Sequence, residues 1–106
     1  MIDICLMEKN NRIGGFTVSG HSGTALKGED IVCAGVSALA QSALLGLGEH
    51  LKRNIKYEVK SGRMFVKLLD EPDELTEAIL KTMALGLYEI EKLYPEAVRV
   101  KNDYKL

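Results

Sequence analysis

His21 and Cys33 are the two side chains whose types and spacing suit covalent chemistry. The histidine sits in Ser19-Gly20-His21-Ser22-Gly23, at the end of a strand-like segment. The cysteine follows in Glu29-Asp30-Ile31-Val32-Cys33-Ala34-Gly35-Val36-Ser37-Ala38-Leu39, at the opening of a helix-like one. A loop between them can fold the two together. The thiol would then have a base to take its proton. If Asp30 is the N-cap, Cys33 is the third helical residue, where a helix start favours an anion. Asp30 carries its own negative charge, so its expected part is to bond a backbone N–H or to orient the histidine. Cys33, Ser37 and Gln41 recur at four-residue intervals and share one polar stripe on an otherwise apolar helix, a stripe fit to line a cleft. N–H groups at the helix start would stabilise an oxyanion. Gly20 and Gly23 let the loop around His21 approach closely or move.

Each of these residues also has an ordinary reading. An unbridged cysteine in an apolar helix packs as a small hydrophobe. A loop histidine commonly does no more than satisfy a hydrogen bond, Asp30 can simply cap, and Ser37 can be a small packing residue. Strand alternation adds a difficulty, because His21 falls on the face opposite Phe16 and Val18 while the helix should cover the apolar face. The pair meets only if the strand ends or twists near Gly20. From the residues alone both readings stand open.

Other chemistries fit less well. The glycine-rich loop lacks the lysine and spacing of a phosphate-binding P-loop. A metal site from Cys5, His21 and Cys33 would draw ligands from three separate elements and matches no zinc pattern. No metal or cofactor is therefore expected. A thiol redox sensor is a third class, with Cys33 oxidised reversibly and Cys5 as its possible partner. Otherwise Cys5 is incidental to the opening strand, and His50, beside Lys52 and Arg53, reads as a surface residue.

The elements that must position the pair follow from periodicity. Ile2, Ile4 and Leu6 alternate with Asp3, Cys5 and Met7, and Phe16 and Val18 alternate with Thr17 and Ser19. The turn-rich Asn10–Gly15 stretch between them makes a hairpin. A loop from Ser22 to Glu29 leads to a helix from Asp30 to about Gly46 or Gly48. Ile55, Tyr57 and Val59 start a second hairpin that turns at Ser61-Gly62-Arg63 and returns through Met64–Leu68. Glu71-Pro72-Asp73-Glu74 opens a second helix, with Leu75, Ile79, Met83, Leu87, Ile90 and Leu93 on its apolar face until Pro95 stops it. Ala97–Lys101 can add a short final strand. The order ββαββα(β) predicts an α+β two-layer sandwich, an antiparallel or mixed sheet with two helices, and one face of the sheet left wet.

Size and charge bound the partners. The chain has 106 residues, 46% of them hydrophobic, enough for one domain spanning 1–106 with one modest core. A net charge of −1 gives no global pull toward nucleic acid or an anionic membrane, so neither is expected as a partner. The cation group Lys52, Arg53, Lys56, Lys60, Arg63 and Lys67 reads first as a solvated sheet face, with a contact to RNA or an acidic partner as the alternative. Ile31 to Gly48 is uncharged and nearly long enough to span a bilayer, but its Ser37, Gln41 and Ser42 and its small residues favour a deeply buried helix of a soluble domain. Those small residues would admit another backbone, from the sheet or from a second subunit. Two distant cysteines and a charged N-terminal segment suit a reduced, cytoplasmic setting without a signal peptide.

The run Gly20-His21-Ser22-Gly23, then Gly28 through Leu39, resembles the bacterial ribosomal-processing cysteine proteases, the Prp family. The resemblance extends through the element order and length to nearly the whole chain. It implies a small homodimeric endopeptidase that removes an N-terminal extension from large-subunit ribosomal protein twenty-seven, cutting after an aromatic residue. Carried over by position, it makes Cys33 the nucleophile and His21 the general base, with Asp30 and Ser37 in support or substrate contact. The chain departs from the family pattern at Thr24-Ala25-Leu26, where aromatic character is expected, and at Gly35, where alanine is usual.

Overall fold

A computed structural model of the chain describes the backbone at residues 1–20 and 27–106, and the side chains at 1–20 and 31–106. Strands β1 (Ile2–Lys9) and β2 (Arg12–Ser19) form the first hairpin. Its turn is tighter than composition suggests. Asn10 and Asn11 take φ of 53° and 67°, so two residues make the reversal and β2 already begins at Arg12. Two consecutive positive φ values match the twist of a hairpin, and asparagine tolerates them.

Helix α1 spans Lys27–Leu45 and continues as a π-helical turn, Gly46–His50. Strands β3 (Ile55–Lys60) and β4 (Arg63–Leu68), helix α2 (Glu74–Leu93) and strand β5 (Val98–Lys105) complete the order. The sheet runs β3-β4-β2-β1-β5. All pairings are antiparallel except that of β1 with β5, so the sheet is mixed, as the element order predicts. The final strand is longer than expected because its far end pairs past a register shift, Met7 opposite Tyr104.

Register places one apolar face in line across the strands. Ile4 stands opposite Val18, and Val18 opposite Met64; Leu6 stands opposite Phe16, and Phe16 opposite Val66. Helix α1 lays Val32, Val36, Ala40, Ala43 and Leu47 on that face, a spacing of three and four residues that keeps one stripe inward. Its other side, including Ile31, Ala34, Ala38 and Leu45, is exposed. The segment from Ile31 to His50 has the length and hydropathy of a membrane span, with 28% of that window buried. It is therefore a one-sided cover for the sheet, not the deeply buried helix that its composition suggests.

Helix α2 starts at a capping box. Asp73 accepts from the N–H groups of Leu75 and Thr76, and the Thr76 hydroxyl accepts from the Asp73 N–H. Its buried stripe is Thr76, Leu80, Met83, Ala84 and Leu87. Leu75 and Leu93, assigned to the apolar face by periodicity, are 58% and 73% exposed. Both fall about a third of a turn round the helix from the buried stripe. The helices meet closely: a Cβ on Gly86 would come 2.9 Å from Leu39, and one on Gly46 would come 3.0 Å from Ile79. Glutamates of α2 tie down the strands, Glu77 accepting from the Ile13 N–H and Glu91 from the Val100 N–H.

Candidate active site

Cys33 lies on α1 where the helix crosses the ends of β1, β2 and the β3–β4 hairpin. It is half-buried, packs against the core on one side, and on the other lines an open cavity of about 210 Å³. Ser37 and Gln41 line the same cavity, so the polar stripe faces a cleft as helical spacing predicts. Gln41 Nε2 donates to Ser37 Oγ at 2.8 Å. With that lone pair engaged, the serine hydroxyl hydrogen can point at a guest in the cleft.

Gly20 forms part of the opposite wall. It takes φ of 97°, and a Cβ there would come 2.3 Å from the Met1 carbonyl oxygen, so only glycine fits. Its N–H donates to the Gly62 carbonyl at 3.0 Å, which fixes the point where the chain leaves β2. His21 and Gly23 lie outside the described residues. So does the side chain of Asp30, whose backbone belongs to α1.

The start of α1 corrects one expectation. The helix begins at Lys27, so Asp30 is a first-turn residue and not the N-cap, and Cys33 is in the second turn. Glu29 and Asp30 then occupy positions where acidic residues suit the helix dipole. The dipole acts mainly within the first turn, which ends before Cys33. Neither thiol activation nor an oxyanion site can be drawn from it at Cys33. Ser37 is the nearest polar side chain of the cleft along the helix.

Sequence reasoning missed the second hairpin's part in the site. Val59, Lys60, Gly62, Arg63 and Met64 complete the cavity wall. They arrive because β4 pairs with β2, setting Ser19 opposite Arg63. That pairing joins strands separated by a helix, and local periodicity carries no signal of it.

Cys5 and Cys33 lie on opposite sides of the sheet, so the two do not form a redox pair within one chain. Cys5 faces away from the helices, opposite Thr17 and Lys101. Burial pushes its thiol above the ordinary range, the nearby Asp103 carboxylate pushes the same way, and Lys101 opposes them. Among the described residues no cluster of three or more histidine, cysteine or acidic side chains could hold a metal ion.

Comparison with known proteins follows the same lines. The family model described as cysteine protease Prp matches residues 1–99. The ribosomal processing cysteine protease Prp of Staphylococcus aureus is 29% identical over 102 residues, covering 93% of this chain and 94% of its own length. Crystal structures of that organism's essential ribosomal processing protease, one with a covalently linked product peptide and one with a substrate peptide, share the fold at a TM-score of 0.86. They are 24% and 23% identical, each alignment covering 97% of this chain and all of theirs. A Streptococcus mutans protein aligns over all of this chain and 96% of its own, at a TM-score of 0.85 and 22% identity.

Proposed function

The chain belongs to the ribosomal processing cysteine protease Prp family, and from that premise we propose that it is an endopeptidase with Cys33 as nucleophile and His21 as general base. Family membership supports a cysteine-protease activity in ribosomal processing. The substrate we assign is the N-terminal extension of large-subunit ribosomal protein twenty-seven, cut after an aromatic residue. The observation that carries the reading is Cys33 at an open cleft, on a stripe with Ser37 and Gln41, across from the glycine that leads directly into His21.

In this mechanism His21 takes the thiol proton as sulfur attacks the peptide carbonyl carbon. The carbonyl oxygen becomes an oxyanion and receives a hydrogen bond from Ser37, whose hydroxyl Gln41 orients. The imidazolium then gives its proton to the departing amine, and the C–N bond breaks to leave a thioester on Cys33. Water, deprotonated by His21, attacks the thioester and restores the thiol. Neither a metal nor a cofactor enters any step. Asp30 and Gly23 are assigned support of the histidine-bearing loop. The same reading places the protein in the cytoplasm as a homodimer, for which the exposed Ile31, Ala34, Ala38 and Leu45 along α1 offer an apolar surface.

The test is cleavage of a peptide carrying the extension, followed by mass under reducing conditions at neutral pH. Wild type should release one product after an aromatic residue. Cys33→Ala should bind the peptide and cut none of it, and His21→Ala should lose at least 100-fold in rate, the contribution typical of a general base. Intact peptide with wild type rejects the assignment.

A further inference from the structure

The net charge of −1 conceals a segregation of charge that the strand order extends beyond the second hairpin. The sheet face turned away from both helices gathers Lys56, Lys60, Arg63, Lys67, Arg99 and Lys101. Register fixes this: Lys60 and Arg63 stand in line with Ser19 and Asp3, Lys56 and Lys67 with Gly15 and Met7, and Lys101 with Cys5. The acid on the same face is Asp3 and Glu58, with Asp103 beside the Cys5 thiol, and Glu58 is held 3.5 Å from Lys60. Much of the compensating acid, Glu74, Glu77, Glu89 and Glu91, is carried by α2 on the far side.

Aromatic surface is set among those cations. Phe65 lies between Thr17 and Glu58 on the uncovered face and remains half-exposed there. Tyr104, opposite Met7 on the edge strand, is 54% exposed. Three strand spacings separate β4 from β5, about 14 Å. A flat sheet with aromatic platforms and cations spread over several strands suits a chain of stacked bases with phosphates between them.

We propose that this uncovered sheet face docks single-stranded RNA, its phosphates on the lysines and arginines and its bases against Phe65 and Tyr104. The expectation that nucleic acid is no partner took the net charge as neutral and read the Lys52–Lys67 cations as a solvated face; strand order adds Arg99 and Lys101 to them. A second copy is a poor occupant, since a two-fold contact would set the same cations against themselves. An acidic protein segment would satisfy the cations but leave the aromatic platforms without purpose. The proposal is independent of the peptidase assignment, because Lys67, Lys101, Phe65 and Tyr104 do not border the Cys33 cleft. Lys60 and Arg63 border both, so a bound strand would end beside it.

The experiment uses the full chain and a fluorescein-labelled single-stranded RNA of twelve nucleotides, read by anisotropy, with polyglutamate as the acidic comparison. Wild type should bind RNA, with log affinity falling against log salt at a slope of roughly −2 to −3, as three or four phosphate contacts give. Lys67→Glu with Lys101→Glu should weaken RNA at least tenfold while leaving peptide cleavage unchanged. Phe65→Leu, which keeps the residue apolar, should weaken it about threefold or more without altering the salt slope, because a lost stacking contact releases no counterions. Circular dichroism of each variant separates lost binding from lost folding. The proposal is overturned by absence of RNA binding at low salt, by binding the charge variant retains, or by polyglutamate binding as tightly as RNA.

Discussion

At the scale of single residues, four-residue spacing identified a stripe that lines a cleft but not its relation to the helix start. Cys33, Ser37 and Gln41 face one cleft as their positions in the sequence require. In the proposed mechanism the oxyanion bond comes from Ser37 and not from the helix start, because α1 spans Lys27–Leu45 and Cys33 lies beyond its first turn. Ser37→Ala should therefore lower kcat for peptide cleavage by about 10- to 100-fold with little change in KM, the range of one weak to ordinary oxyanion donor. Gln41→Ala should cost less, since the serine keeps its hydroxyl and loses only its orientation. Equal kcat in wild type and Ser37→Ala would remove Ser37 from the oxyanion role. Cys5 is the contrasting thiol. Burial and Asp103 hold it in the protonated form at neutral pH, and the thiolate is the reactive species. Mass analysis after brief iodoacetamide treatment at pH 7 should show Cys5 alkylated more slowly than a cysteine in an unstructured peptide, and Cys5→Ser should cleave normally.

At the scale of elements, periodicity read both hairpins and both helices because each has one buried face. It erred at Leu75 and Leu93, which lie about a third of a turn from the buried stripe, and at the start of α1, where Asp30 looked like a cap because aspartate is a common one. Gly35 lies inside α1, where glycine costs roughly 0.5–1 kcal/mol against alanine through backbone entropy. Among the described residues a Cβ there would meet the Ile90 side chain alone, at 3.4 Å, an ordinary contact. Gly35→Ala should accordingly stabilise the protein by about 0.5–1 kcal/mol in urea unfolding. Gly86 gives the opposite case, since its Cβ would press on Leu39 at 2.9 Å. A Gly35→Ala variant less stable than wild type would mean that α1 and α2 are packed more tightly there than that contact allows.

At the scale of the whole molecule, strand order was the part the sequence could not supply. Pairing β4 with β2 sets the second hairpin against the Cys33 cleft, and pairing β5 parallel to β1 completes the cationic face; both join segments with a helix between them. The second hairpin is also fastened at its base, and the fastening titrates. Asp70 accepts from the Asn54 backbone and side-chain N–H groups, and Asp73 accepts from Arg53 at 2.7 Å while capping α2. Entry to β3 is thereby tied to the exit from β4 and to the head of α2. Hydrogen bonds from Asn54 hold the Asp70 carboxyl below its ordinary 3.8, and the bond from Arg53, with the Thr76 N–H behind it, does the same for Asp73. As pH falls through that range the unfolded chain takes up protons before the folded one does. Stability from these two groups is therefore complete above about pH 5 and is lost as pH drops through their lowered values. Urea midpoints should stay nearly level from pH 7 to 5 and decline below pH 4. The double variant Asp70→Asn with Asp73→Asn keeps amide acceptors, and asparagine caps helices well, so it removes charge with little loss of cap. It should be less stable than wild type at pH 7, with the gap closing as wild type is acidified. A gap of the same size at pH 7 and pH 3 would show that shape, not charge, makes these two carboxylates matter.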